Sequence, residues 1–141
     1  MKPKSPLLSK KLNAYTLTEI LVVLCIIGIL MLLALPNLTS VVTKAKTTEA
    51  KLQLAHLHEL EKNYFYEHSK YSKDLTEIGF IQEPLSTESK AGRANYRIEI
   101  TDATSTTFTA TATAVVDFNS NGTFNVWQID QDKTLKEVTP D

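Results

Sequence analysis

Cysteine and glycine are scarce in this chain. Its 141 residues include one cysteine and four glycines. A single thiol, Cys25, permits no intrachain disulfide, so stability must come from packing and backbone hydrogen bonds. The scattered glycines build no phosphate-cradling loop, and no Ser/His/Asp order or Walker-like string occurs. An excess of charge of one sign is also missing. The formal net charge is −1, which gives no whole-chain case for nucleic acid. No internal repeat or low-complexity tract occurs, and the length suits one small domain.

Charge is absent altogether from Ile20 to Thr43. The run Ile20–Leu35 is apolar throughout and, with Leu17 and Leu38, predicts a helix of roughly 20 residues, about the thickness of a bilayer core. Lys2, Lys4, Lys10 and Lys11 precede it without an acid, which predicts a cytoplasmic N-terminus. The rest of the chain is acidic, 11 basic against 16 acidic residues, and should lie outside the cytoplasm. An ordinary secretory signal is too short for this run, and no small-residue cleavage site follows it. A plain one-pass anchor explains the run but not residue 19.

Glu19 stands at the edge of this uncharged helix. An ionised carboxylate in lipid costs several kcal/mol unless it is partnered. The nearest preceding cation is Lys11, eight residues away. A cut between Ala14 and Tyr15 would place a new α-amine four residues before Glu19, roughly 6 Å along a helix axis. The pair can also form between subunits, satisfying both charges and fixing axial register.

The stretch Lys10-Lys-Leu-Asn-Ala-Tyr-Thr-Leu-Thr-Glu-Ile-Leu-Val-Val-Leu-Cys-Ile-Ile-Gly-Ile-Leu30 resembles the processing signal of type IV pilins and type II secretion pseudopilins. The resemblance implies that residues 1–14 are a leader removed by a prepilin peptidase, with N-methylation of Tyr15. It assigns Glu19 to assembly, and implies an inner-membrane platform powered by a separate ATPase. Ala14 stands where the family usually has Gly, and Tyr15 where it usually has Phe. Pro36 matches the family's proline near the end of the membrane segment. Physically, it removes one backbone donor and predicts a kinked but continuing helix.

Residues 15–38 thus read as a transmembrane and assembly helix, and 39–68 as its amphipathic continuation. Leu57, Leu60 and Tyr64 share a stripe with Leu54 and Phe65, while Lys51, Glu59 and Lys62 lie opposite. Residues 69–94 read as a connecting loop, in which Ser72 caps a short helix over 73–78 that Gly79 ends. From Asn95 the period becomes two. Tyr96, Ile98 and Ile100 form one inward set, and Phe108, Ala110, Ala112, Ala114 and Val116 another. Further strands are expected at Thr123–Asp130 and Thr134–Val138. The alternation over 123–130 is imperfect and does not settle where Trp127 points. The expected fold is α+β: a long N-terminal helix packed on an antiparallel sheet of three to four strands over residues 95–141.

Asp117, Asn119 and Asn121, with Gly122, resemble half of a calcium loop, but Gln128 stands where the bidentate Glu belongs. A hairpin with an Asn-Gly turn is the favoured reading, although some pseudopilins bind calcium in this part of the sheet. His56 and His58 diverge on a helix and complete no metal site. Lys44, Lys46, Lys51 and Lys70 interleave with Glu49, Glu59, Glu61 and Glu67, the pattern of a solvated face, and no nucleic-acid partner is expected. No cofactor and no enzyme activity are expected. The expected role is a pilus subunit polymerising with itself and other pilins, held in the inner membrane before assembly and at the cell surface after it. A pseudopilin of a type II secretion system and a monomeric membrane-tethered binding module are the alternatives.

Overall fold

A computed structural model describes residues 14–141, except for the side chains of residues 35–39. The kink expected at Pro36, and the leader apart from Ala14, lie outside the described residues. Helix α1 is assigned to Leu17–His68. Strands β1 (Tyr96–Ala103), β2 (Phe108–Ala114), β3 (Val126–Asp130) and β4 (Leu135–Thr139) follow. The chain divides into two compact units at Pro36.

In the first unit, Leu17–Ala34 is an 18-residue helical stretch, apolar and with none of its length buried. It is roughly 27 Å long, enough to cross most of a bilayer core. Its large aliphatic side chains, Leu17 through Leu33, are all exposed. Such a surface needs lipid or other helices around it.

In the second unit, one face of α1 packs on the sheet. Ala50, Leu54 and Leu57 are fully buried there, and Leu60, Tyr64 and Phe65 pack at the margin. Burying each leucine contributes about 1.5–3 kcal/mol. The sheet is an antiparallel meander in the order β1-β2-β3-β4. The inward sets predicted for β1 and β2 are as expected, with Tyr96, Ile98, Ile100, Phe108, Ala110, Ala112 and Ala114 buried. Alanine is a poor strand former, but three on the inner face of β2 leave room for the leucines of α1. The strand stops at Ala114, so Val116 is not part of it.

Register resolves the third strand. Ile98 pairs with Ala112, and Ala112 with Trp127, so Trp127 belongs to the inward face. The inward set is Asn125, Trp127 and Ile129, while Phe124 is exposed. The strand begins at Val126 rather than Thr123, and β4 lies one residue later than expected. Asn121-Gly122 is not a two-residue hairpin turn; it sits inside a longer connection over residues 115–125.

The helix expected over 73–78 does not form; consecutive turns span residues 75–79. Ser72 Oγ accepts the Asp74 N–H at 3.0 Å, as a cap would. Asp74 Oδ1 then accepts the Thr76 N–H at 2.8 Å, and this local Asx turn competes with helical bonding. Gly79, at φ +76°, still ends the segment. In the next loop, Leu85 and Ala94 are buried and form an isolated parallel bridge. Gly92 makes that crossing feasible, since a Cβ there would lie 2.0 Å from the Leu85 carbonyl oxygen.

Candidate functional site

Ala14, Tyr15 and Glu19 are all exposed at the start of α1. Tyr15 is 81% exposed. The helix begins at Leu17 because Thr16 caps it. Glu19 Oε2 accepts the Thr16 N–H at 2.7 Å and the Thr16 hydroxyl at 2.9 Å. In return, the Glu19 N–H donates to Thr16 Oγ1 at 3.3 Å. This is a reciprocal capping box, with the acid at the positive end of the helix dipole. Glu19 therefore has hydrogen-bond partners within its own helix turn. The Thr16-Leu-Thr-Glu19 spacing carries this signal in the sequence itself. Beside the box, Tyr15, Thr18, Glu19, Ile20, Val22 and Val23 line a mostly apolar hollow of about 690 Å³.

Asp117, Asn119 and Asn121 do come together, but their oxygens face their own backbone. Asp117 Oδ1 accepts N–H groups from Asn119, Ser120 and Asn121, and Oδ2 accepts that of Gly122 at 2.7 Å. The Gly122 amide is foremost in holding the Asp117 carboxyl below the usual aspartate range. Asn119 Oδ1 accepts the Asn121 N–H, and Asn121 Oδ1 binds Thr123 through its N–H and hydroxyl. Among the described residues no group of three or more His, Cys, Asp or Glu could hold a metal ion. His58 is buried, with Nε2 3.1 Å from the Gln131 carbonyl oxygen, and His68 stacks on Tyr64.

Two interior polar groups escaped the period-based reading. Asn125 is fully buried; its Oδ1 accepts the Tyr96 hydroxyl at 2.8 Å, and its Nδ2 donates to Glu137 and to the Thr139 carbonyl. It ties β1 to β4 across the sheet. Burial, foremost, raises the Tyr96 phenol above the usual tyrosine range. Glu61, fully buried, lies on the same stripe as Leu54 and Leu57.

An unburied apolar helix, long enough to cross a membrane and with a capped acid at its head, followed by a helix-on-sheet domain, is the α+β architecture of a pilin-like subunit. The comparisons agree with that class. Residues 36–124 match a family model described as type IV minor pilin ComP, DNA uptake sequence receptor. The type IV major pilin protein PilA of Myxococcus xanthus (strain DK1622) is 37% identical over 86 residues, which is 61% of this chain and 36% of that protein. The matched part thus spans about a third of that relative. The chain belongs to this family of type IV pilins.

Proposed function

We propose that this pilus subunit is made as a precursor, cut between Ala14 and Tyr15, methylated on Tyr15 and polymerised through its N-terminal helix. One observation carries the reading: an acid held in a capping box at the head of an unburied apolar helix. Before assembly the helix sits in the inner membrane, with the N-terminus cytoplasmic and the sheet domain outside. A dedicated peptidase processes it, and an inner-membrane platform extracts it. Pro36 bends the helix as it leaves the membrane segment. In the filament, helices replace lipid, and the Tyr15 amine, its own or a neighbour's, pairs with the Glu19 carboxylate. The capping box holds that carboxylate in place until the amine arrives.

Mass spectrometry of the mature protein tests this. A chain starting at N-methylated Tyr15 supports it; intact residues 1–14 support a tethered monomer instead and overturn it.

The description of the matched family includes a DNA uptake sequence receptor. For this chain we keep filament structure as the role, without nucleic acid. Two of its lysines are engaged at home, Lys46 Nζ 4.5 Å from the centre of the Phe118 ring and Lys51 Nζ 4.3 Å from that of Trp127. The loop at Asp117–Thr123 is proposed to be a self-bonded turn rather than a calcium site.

A further inference from the structure

Among the described residues, Glu61 is the only buried acid, with none of its surface exposed. Its Oε2 accepts the Ser72 N–H at 3.1 Å, while Oε1 is buried without a hydrogen-bond partner. The segment above it, residues 71–80, is anchored in the core at Tyr71, Ile78 and Phe80, and between these anchors Ser72 and residues 73–77 lie over Glu61 and at the surface. Ser72 donates its hydroxyl to Glu77 Oε2 at 2.5 Å, and the Tyr64 hydroxyl reaches the same oxygen at 3.3 Å. The Tyr71 ring stacks on Phe65 and meets Phe108 at a tilt, and the Tyr71 N–H donates to the Thr104 carbonyl. Residues 72–77 form one wall of an open surface cleft of about 820 Å³, and Glu99, Ile100 and Thr101 of β1 form the other.

We propose that Glu61 is a proton-operated latch for this segment: with its proton bound, Glu61 stays seated beneath Ser72 and the cleft wall is fixed; ionised, it draws in water or leaves its seat, and the wall loosens. The physical reason is the orphan oxygen. A neutral carboxyl tolerates a dry seat with one hydrogen bond, whereas a carboxylate does not.

The surrounding charges supply no counter-ion. On α1, His58 bonds the Gln131 carbonyl and Lys62 is not paired with Glu61 among the described ion pairs. Tyr64 feels the charges of both Glu77 and Glu61. The segment itself brings Lys73, Asp74 and Glu77, and β1 brings Glu99, so the cleft holds more acid than base. Lys133, from the β3–β4 turn, is bound to Glu59 at 2.7 Å. Burial pushes the Glu61 carboxyl up to about 7, with the Ser72 amide opposing, which sets the switching range near neutrality.

The test is amide hydrogen exchange on the full chain in detergent micelles at pH 5.5 and 8.5, corrected for intrinsic exchange. Protection over residues 71–80 should fall by about ten-fold or more at the higher pH, while β2 keeps its protection. Glu61→Gln should abolish that difference. Equal protection at both pH values, equal loosening of β2, or an unchanged pH effect in Glu61→Gln would overturn the latch. If Glu61→Gln does not fold, the carboxyl ¹³C shift of Glu61 in the wild-type chain decides. A midpoint near neutrality supports the proposal, and a midpoint in the usual glutamate range sinks it.

Discussion

Thr16 and Glu19 close the start of α1 on each other: the acid takes both the amide and the hydroxyl of the threonine, and the threonine oxygen takes the amide of the acid. The carboxylate at the head of the apolar helix is thus held by hydrogen bonds rather than left bare. Capping and charge pairing are separable demands on the same side chain, because glutamine also closes a capping box.

Glu19→Ala should abolish filaments while leaving the sheet domain folded. Glu19→Gln keeps the cap but loses the charge, so it too should assemble poorly. Thr16→Val keeps the charge but loses the hydroxyl, and should assemble slowly rather than fail. Electron microscopy of sheared filaments, with circular dichroism of the purified chains, reads all three. Normal filaments from Glu19→Gln would show that the cap alone matters.

Tyr96 and Asn125 pin the sheet from inside. Tyr96→Phe leaves the Asn125 oxygen without its buried donor, and should cost about 1–3 kcal/mol. Asn125→Ala also strips the contacts to Glu137 and the Thr139 carbonyl. It should cost more, with β4 the first element to lose protection from exchange. Thermal melts against wild type measure both.

The raised Glu61 pKa has a definite sign. Between its unfolded value of 4.5 and the folded value of about 7, the folded chain binds more proton than the unfolded one. Stability is therefore greatest below the lower value and falls as pH rises through the upper one, by at most about 3 kcal/mol from this group. Glu61→Gln should flatten that part of the profile in thermal melts run from pH 4.5 to 8. A wild-type melting temperature that rises steadily across this range would contradict the assignment.

Asp117 shifts the opposite way. Its lowered pKa means that its contribution is present above its ordinary value and disappears as the carboxylate takes up a proton on acidification. Asp117→Ala should loosen residues 117–123 at neutral pH, with the difference from wild type shrinking on acidification, since the amides of Asn119, Ser120 and Gly122 lose their acceptor and that of Asn121 loses one of two. Adding millimolar calcium should leave the wild-type melting temperature unchanged. A calcium-dependent rise that Asp117→Ala removes would establish an ion site there.

Gly92→Ala should be among the more damaging single-methyl additions. The obstacle is backbone, the Leu85 carbonyl, and cannot swing away. A loss of about 1–3 kcal/mol is expected from overpacking, read as a lower melting midpoint.

Much of this protein lies in short-range pattern. The apolar run, the acid at its edge, the helical stripe through Leu54 and Leu57 and the alternation of β1 and β2 each depend on spacing within one element, and spacing is written in the chain. The capping box is equally local, at Thr16 and Glu19. Three features depend on alignment between elements. Trp127 turns inward because Ala112 pairs opposite it, although Phe124 and Val126 obscure the alternation. Asn125 is buried because its partners arrive from β1 and β4, residues far apart in sequence. Glu61, a charged residue by type, became interior because the segment at Ser72 folds over the helix face on which it stands. Local periodicity set which elements form and where the long apolar helix lies; the register of strands and the folding of a loop over α1 decided which polar side chains are sealed in the core, because burial is a property of neighbours that only tertiary contact supplies.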